Sequence, residues 1–171
     1  MLLTAKTLSK EDIIIESEYS KQNQVGIDLS VQKIERILDK AVFVLKDKTI
    51  VRPEYFEEEE LATMVINDVE HIGWLLIPGS YALTFNEKCN IPSYATGFIQ
   101  SRSSIYRGGS FISSPLWDPG FTTKDNFMGT TMIVTQDIFI EKNSRVCQIF
   151  LHENYLPEKT YDGQFQGKTN Y

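Results

Sequence analysis

Gly73-Trp-Leu-Leu-Ile77, Pro78-Gly79 and Tyr81-Ala-Leu-Thr-Phe85 decide the fold class. Two apolar runs of strand length flank a Pro-Gly turn, and neither is long enough for a core helix. The same pattern repeats outward. Downstream come Thr96-Gly-Phe-Ile99, Thr131-Met-Ile-Val134, Ile138-Phe-Ile140 and Arg145-Val-Cys-Gln-Ile-Phe150, with a tight connection at Thr135-Gln-Asp137. Upstream, Val25, Ile27, Leu29 and Val31 alternate with Gly26, Asp28 and Ser30, the period of a half-buried strand. Ala41 to Leu45 and Thr49 to Val51, either side of Lys46-Asp-Lys48, read as a hairpin. Short strands at close spacing predict a mostly β chain, a distorted barrel or jelly-roll-like double sheet. One short helix is expected near the start, from Lys10 to about Glu18, with Ser9 as N-cap and Ile13 and Ile14 turned inward. The acids Glu57 to Glu60 read as a solvated loop or helix face.

Composition narrows the function. The 171 residues suffice for one cored domain, so residues 1–171 are taken as a single unit. With 42% apolar and 23% charged residues, disorder and coiled coil are excluded. Apolar runs fall well short of a membrane span. Met1 to Lys6 lacks the apolar core of a secretory signal. A formal charge of −6 argues against a nucleic-acid partner, although a local arginine cluster still attracts a small anion. Two cysteines without a CxxC, Cys89 and Cys147, fit a reducing compartment, and we expect a cytoplasmic protein, of an ordinary or a phage- or virus-infected cell. The last residues, 160–171, are polar and rich in Gly and Gln, with the aromatics Tyr161 and Phe165. Such a tail frays or folds onto something.

Five segments carry candidate chemistry. Gln100-Ser-Arg-Ser-Ser-Ile-Tyr-Arg107 follows a strand and offers two guanidinium groups and three hydroxyls. Such forks and hydroxyls match phosphate oxygens, and a capped turn with surface arginines is the alternative. Ser113-Ser-Pro-Leu-Trp-Asp-Pro-Gly-Phe121 places Asp118 before a Pro-Gly turn. A carboxylate there is either a base on water or a turn initiator. Gly26-Ile-Asp-Leu-Ser30 puts Asp28 on an early strand, where it either serves a hydrated Mg²⁺ or faces solvent. Glu141 to Ile149 is a turn into a strand, and Tyr161-Asp-Gly-Gln-Phe-Gln-Gly-Lys-Thr169 is the tail.

In this order and at these separations, the five segments resemble the five motifs of the trimeric dUTPase and dCTP deaminase superfamily. Gly26 to Ser30 resembles motif one, Ser101 to Arg107 motif two, Trp117 to Phe121 motif three, Glu141 to Ile149 motif four, and Gly163 to Lys168 the closing tail. The resemblance implies the dUTPase fold, a homotrimer with shared active sites, a deoxynucleoside triphosphate substrate and Mg²⁺. It implies that Asp118 orients and deprotonates water, and that Phe121 lies against the deoxyribose. Arg102, Ser103, Ser104 and Gln148 would hold phosphates, with Arg107 reaching in from a neighbouring subunit. Asp28 would touch the metal's water shell. Tyr161, Phe165, Gln166 and Lys168 would close over the nucleotide as a mobile tail.

The opening helix, Asp118-Pro-Gly-Phe121 and the Tyr161 tail resemble the deaminase branch. That branch carries a glutamate further along its motif-three strand, moving protons at the cytosine ring. The corresponding window here, Phe127-Met-Gly-Thr-Thr-Met-Ile-Val134, holds no Glu or Asp. Loss of such a shuttle costs ~10²–10⁴-fold or more. Hydrolysis of the α–β phosphate bond needs a carboxylate base, Mg²⁺ and cationic donors instead, and these remain. The expectation is therefore dUTP hydrolysis to dUMP and pyrophosphate. The alternatives are a dCTP deaminase and a nucleotide-binding regulator.

Overall fold

The computed structural model describes residues 1–38, 43–44, 49–51, 56–154, 159–163 and 166–167. The chain opens with helix α1 (Ala5–Lys10), then β1 (Ile14–Ile15), β2 (Lys21–Gln22) and β3 (Ile27–Ile37). A hairpin of β4 (Phe43–Val44) and β5 (Thr49–Val51) follows, then β6 (Phe56–Glu58), β7 (Ala62–Ile66), β8 (Val69–Leu76) and β9 (Gly79–Phe85). The remaining elements are β10 (Lys88–Cys89), β11 (Ala95–Ser101), α2 (Ser103–Arg107), β12 (Ser110–Ser113), β13 (Gly129–Val134), β14 (Ile138–Glu141) and β15 (Arg145–Glu153).

The central sheet runs β11-β15-β3-β9-β13-β12, with β2 and β6 also paired to β3. All its pairings are antiparallel. Its two ends meet: the Ser101 hydroxyl donates to the Ile112 carbonyl at 3.1 Å and accepts from the Ile112 N–H at 2.7 Å. The sheet is thus a nearly closed barrel, which leaves little unpaired edge. Its interior holds Ile27, Leu29, Ile34, Tyr81, Leu83, Phe85, Met132 and Ile149. A second sheet, β14-β8-β7, packs alongside through Trp74, Leu76 and Ile140.

The predicted strands are present among the described residues, outside which lie Ala41, Val42, Leu45 and the Lys46-Asp-Lys48 turn of the expected hairpin, and three expectations shift. The helix lies earlier, capped by Thr4, whose hydroxyl accepts the Thr7 N–H at 3.2 Å; Ser9 sits in its last turn. Asp12 has φ +51°, which ends the helix, and the β-branched Ile14 pairs with Cys89 as strand. β3 is buried on both faces at its start: Asp28 and Ser30 are as enclosed as Ile27 and Leu29. The acidic run begins as strand β6 on β3, where Glu58 meets Lys33 at 3.2 Å. β7 and β12 were not expected: β7 is apolar at four of its five positions without alternation and is exposed at three, and β12 is only four residues long.

Candidate active site

Sheet order explains why three distant segments meet. Because β15 lies between β11 and β3, Gln148 stands directly opposite both Gln100 and Asp28. Side chains directly opposite on adjacent strands share a face. Arg102 follows the end of β11, tied there by its N–H to the Val146 carbonyl at 3.0 Å.

Asp28 is the hub of this cluster. Its Oδ1 accepts from Asn23 Nδ2 at 2.7 Å and from Gln148 Nε2 at 3.3 Å. Its Oδ2 faces Arg102 Nε at 3.4 Å. The carboxylate is 5% exposed, so these donors replace the water it has lost. Arg102 Nη1 donates in addition to the Arg145 carbonyl at 2.9 Å, which fixes the guanidinium at two points. Ser103 and Ser104 are exposed at the start of α2, and Arg107 is exposed at its end. Arg102, Ser104 and Arg145 line a cleft of about 540 Å³, closed on the far wall by the pair His71 Nδ1–Glu141 at 3.0 Å.

Asp118 belongs to a second cluster. Trp117 bridges to Gly97 of β11 through N–H to carbonyl bonds of 2.9 and 3.0 Å in both directions. Asp118-Pro-Gly-Phe121 then turns, closed by the Phe121 N–H on the Asp118 carbonyl at 3.0 Å. Gly120 has φ +85°, the third position of a type II turn, and its added Cβ would lie 2.8 Å from Thr160 Cβ. The Asp118 carboxylate is half-buried and has no hydrogen-bond or ion-pair partner among the described residues. Phe121 sits edge-on to Trp117 and to Tyr161, at 5.3 and 5.5 Å between centroids.

The tail docks on this turn. Tyr161 donates its N–H to the Pro119 carbonyl at 2.7 Å. Gln166 spans the groups flanking Phe121: its Nε2 donates to the Gly120 carbonyl at 2.9 Å and its Oε1 accepts the Thr122 N–H at 3.1 Å. Phe165 and Lys168 lie outside the described residues.

The two clusters stand apart within one chain. Trp117 holds Asp118 at Gly97, while Arg102 begins after Ser101, four strand steps or about 13 Å further on. The cleft that Arg102 lines includes neither Asp118 nor Phe121.

A family model described as dCTP deaminase-like matches residues 3–154. The chain belongs to that family. The probable deoxyuridine 5'-triphosphate nucleotidohydrolase of Aeropyrum pernix is 30% identical over 147 residues, 84% of this chain and 83% of that protein. The deoxyuridine 5'-triphosphate nucleotidohydrolase of Methanocaldococcus jannaschii is 28% identical over 151 residues, 88% and 90% of the two chains. A 2'-deoxycytidine 5'-triphosphate deaminase from Agrobacterium tumefaciens superposes with a TM-score of 0.59 at 14% identity, over 90% of this chain and 48% of that one. Native EIAV dUTPase superposes with a TM-score of 0.51 at 11% identity, over 88% and 97%. These two likenesses concern the fold.

Proteins named for either reaction are thus among those this chain resembles. Strand β13 presents Thr130, Met132 and Val134 to the interior and carries no acid. The buried acid that sequence reading passed over is Glu87. It is fully enclosed, and its Oε1 accepts hydroxyls of Ser17, Ser20 and Ser30 at 2.6, 2.7 and 2.7 Å. Its Oε2 accepts the Ser30 N–H at 3.0 Å. The available signal was a glutamate two residues after the strand Tyr81–Phe85, and the three serines that hold it are brought there only by the fold. Beside it, burial pushes the Cys147 thiol up, with Glu87 and Asp28 adding repulsion to the thiolate.

Proposed function

We propose that this protein hydrolyses dUTP to dUMP and pyrophosphate in sites shared between the subunits of a homotrimer. The observation that carries the reading is the carboxylate inventory. Asp118 stands unpartnered among the described residues, available to orient and deprotonate water, while β13 has no acid to move protons at a cytosine ring. The relatives named as dUTP nucleotidohydrolases support the same choice.

Each residue then has a task. Arg102 and Gln148 take phosphate oxygens, with Ser103 and Ser104 as hydroxyl donors beside them. Phe121 covers the deoxyribose and disfavours a 2′-hydroxyl. Arg107 reaches a neighbouring subunit's site from the exposed end of α2. Tyr161, Phe165, Gln166 and Lys168 close over the nucleotide, Tyr161 and Gln166 acting through the Phe121 turn they already hold. Separation of the Asp118 and Arg102 clusters supports sharing between subunits. So does the exposed apolar face beside α2, where Tyr106, Phe111 and Ile133 lie together.

Mg²⁺ in this reading arrives on the triphosphate and neutralises its charge. The described residues hold no group of three or more His, Cys, Asp or Glu that fits a metal ion, so no step is routed through a protein-held metal. Incubation with dUTP and with dCTP, each with Mg²⁺, tests the proposal. The products expected from dUTP are dUMP and pyrophosphate. Ammonia release from dCTP without pyrophosphate overturns it.

A further inference from the structure

Asp28 is the acid expected to meet the metal's water shell, yet its surroundings serve another purpose. Both oxygens are engaged: Oδ1 by the amides of Asn23 and Gln148, Oδ2 by Arg102 Nε. The carboxylate is 5% exposed, whereas the Arg102 side chain is 37% exposed and lines the cleft. The acid is therefore the enclosed member of the pair, and the guanidinium is the member that lines the cleft. With Nε ion-paired to Asp28 at 3.4 Å and Nη1 donating to the Arg145 carbonyl, the remaining guanidinium N–H groups are left for an anion. Gln148 is oriented in the same way, because one amide proton goes to Asp28. A carboxylate this enclosed is retained by its donors.

We propose that Asp28 is a positioning residue that sets Arg102 and Gln148 for phosphate, and that it acts on the nucleotide through them instead of through a hydrated metal. The proposal rests on the reading of Arg102 and Gln148 as phosphate ligands. It does not depend on which bond is then cleaved.

The probe is inorganic pyrophosphate, titrated calorimetrically into the full-length protein in EDTA. A second measurement takes the Mg²⁺ midpoint for dUTP turnover. Asp28→Asn keeps the acceptor for Asn23 and Gln148 but turns an N–H₂ toward Arg102 Nε. It should weaken metal-free pyrophosphate binding about tenfold, with the Mg²⁺ midpoint unchanged within about twofold. In an Arg102→Gln background the same change should add less than about twofold, because the partner it positions is gone. Unaltered metal-free binding with a shifted Mg²⁺ midpoint overturns the proposal, and so does full additivity with Arg102→Gln. If Asp28→Asn does not fold, Arg102→Lys asks the question from the other end, keeping the charge and losing the held Nε. A loss of at least about fivefold in pyrophosphate binding is expected, and less than about twofold overturns the idea. Wild-type protein that binds pyrophosphate but leaves dUTP intact removes the hydrolase reading alone. Wild-type protein that does not bind pyrophosphate overturns this proposal as well.

Discussion

The Asp118 carboxylate has no partner among the described residues, so its replacement should disturb little beyond its own chemistry. Asp118→Asn keeps the shape of the turn, whose closing bond uses the backbone carbonyl. Steady-state turnover of dUTP should fall by roughly 10²–10⁴ while nucleotide binding survives. Turnover near the wild-type level would make Asp118 a turn residue and nothing more. Glu87 poses the opposite case. Three hydroxyls and one N–H converge on it, and it lies far from water. Glu87→Ala leaves those donors without an acceptor and opens a cavity, and we expect a loss of about 3 kcal/mol in denaturant unfolding. A change below about 1 kcal/mol would mean that the serines and the Ser30 N–H find other partners.

At the level of elements, legibility followed how local the cause was. Asp118-Pro-Gly-Phe121 is a turn because of backbone preferences confined to a few residues, and it was readable, whereas Pro78 is a bend and Gly79 already opens β9, which belongs to a different sheet from β8. The first helix was displaced toward the C-terminus because its limit is tertiary. Ile14 pairs with Cys89, some seventy-five positions away, and that pairing outweighs the helical spacing of Ile13 and Ile14. Asp28 and Ser30 were read as the polar face of a half-buried strand. They are enclosed because Glu87, Asn23, Arg102 and Gln148 satisfy them, a network that alternation alone does not encode. The tail shows the same limit. Its composition said that it needed a partner, and the described part finds one in the Phe121 turn. Deleting residues from Gly163 onward removes both Gln166 bonds and the Gly167 N–H on the Thr122 carbonyl. We expect most dUTP turnover to be lost with the oligomer intact by light scattering. Normal turnover in the truncated protein would make the tail a passive end.

At the scale of the whole molecule, the proposed function requires one chain to supply both halves of a site while holding them apart. Asp118 is anchored at Gly97 and Arg102 beyond Ser101, on a strand that the closed sheet keeps rigid. Closing that gap inside one barrel would require the Asp118 turn to leave Gly97, because β11 keeps a continuous register with β15 from Ala95 to Ser101. In the proposed homotrimer a second copy supplies the missing half instead. The exposed Tyr106, Phe111 and Ile133 beside α2 give such a copy an apolar surface to cover. Light scattering at micromolar concentration should accordingly report a trimer, and a monomer would sink the shared-site scheme. Complementation is the sharper measurement. Asp118→Asn and Arg102→Gln should each be inactive alone. Co-expressed with different tags and purified as mixed trimers, they should recover roughly a third of wild-type turnover, because every mixed trimer has the right chain on both sides at one of its three junctions. Mixed trimers without activity would place each site within a single chain. The Asp118 turn would then have to approach Arg102 by leaving Gly97, a movement visible as lost protection of the Trp117 and Gly97 amides in hydrogen exchange on adding nucleotide.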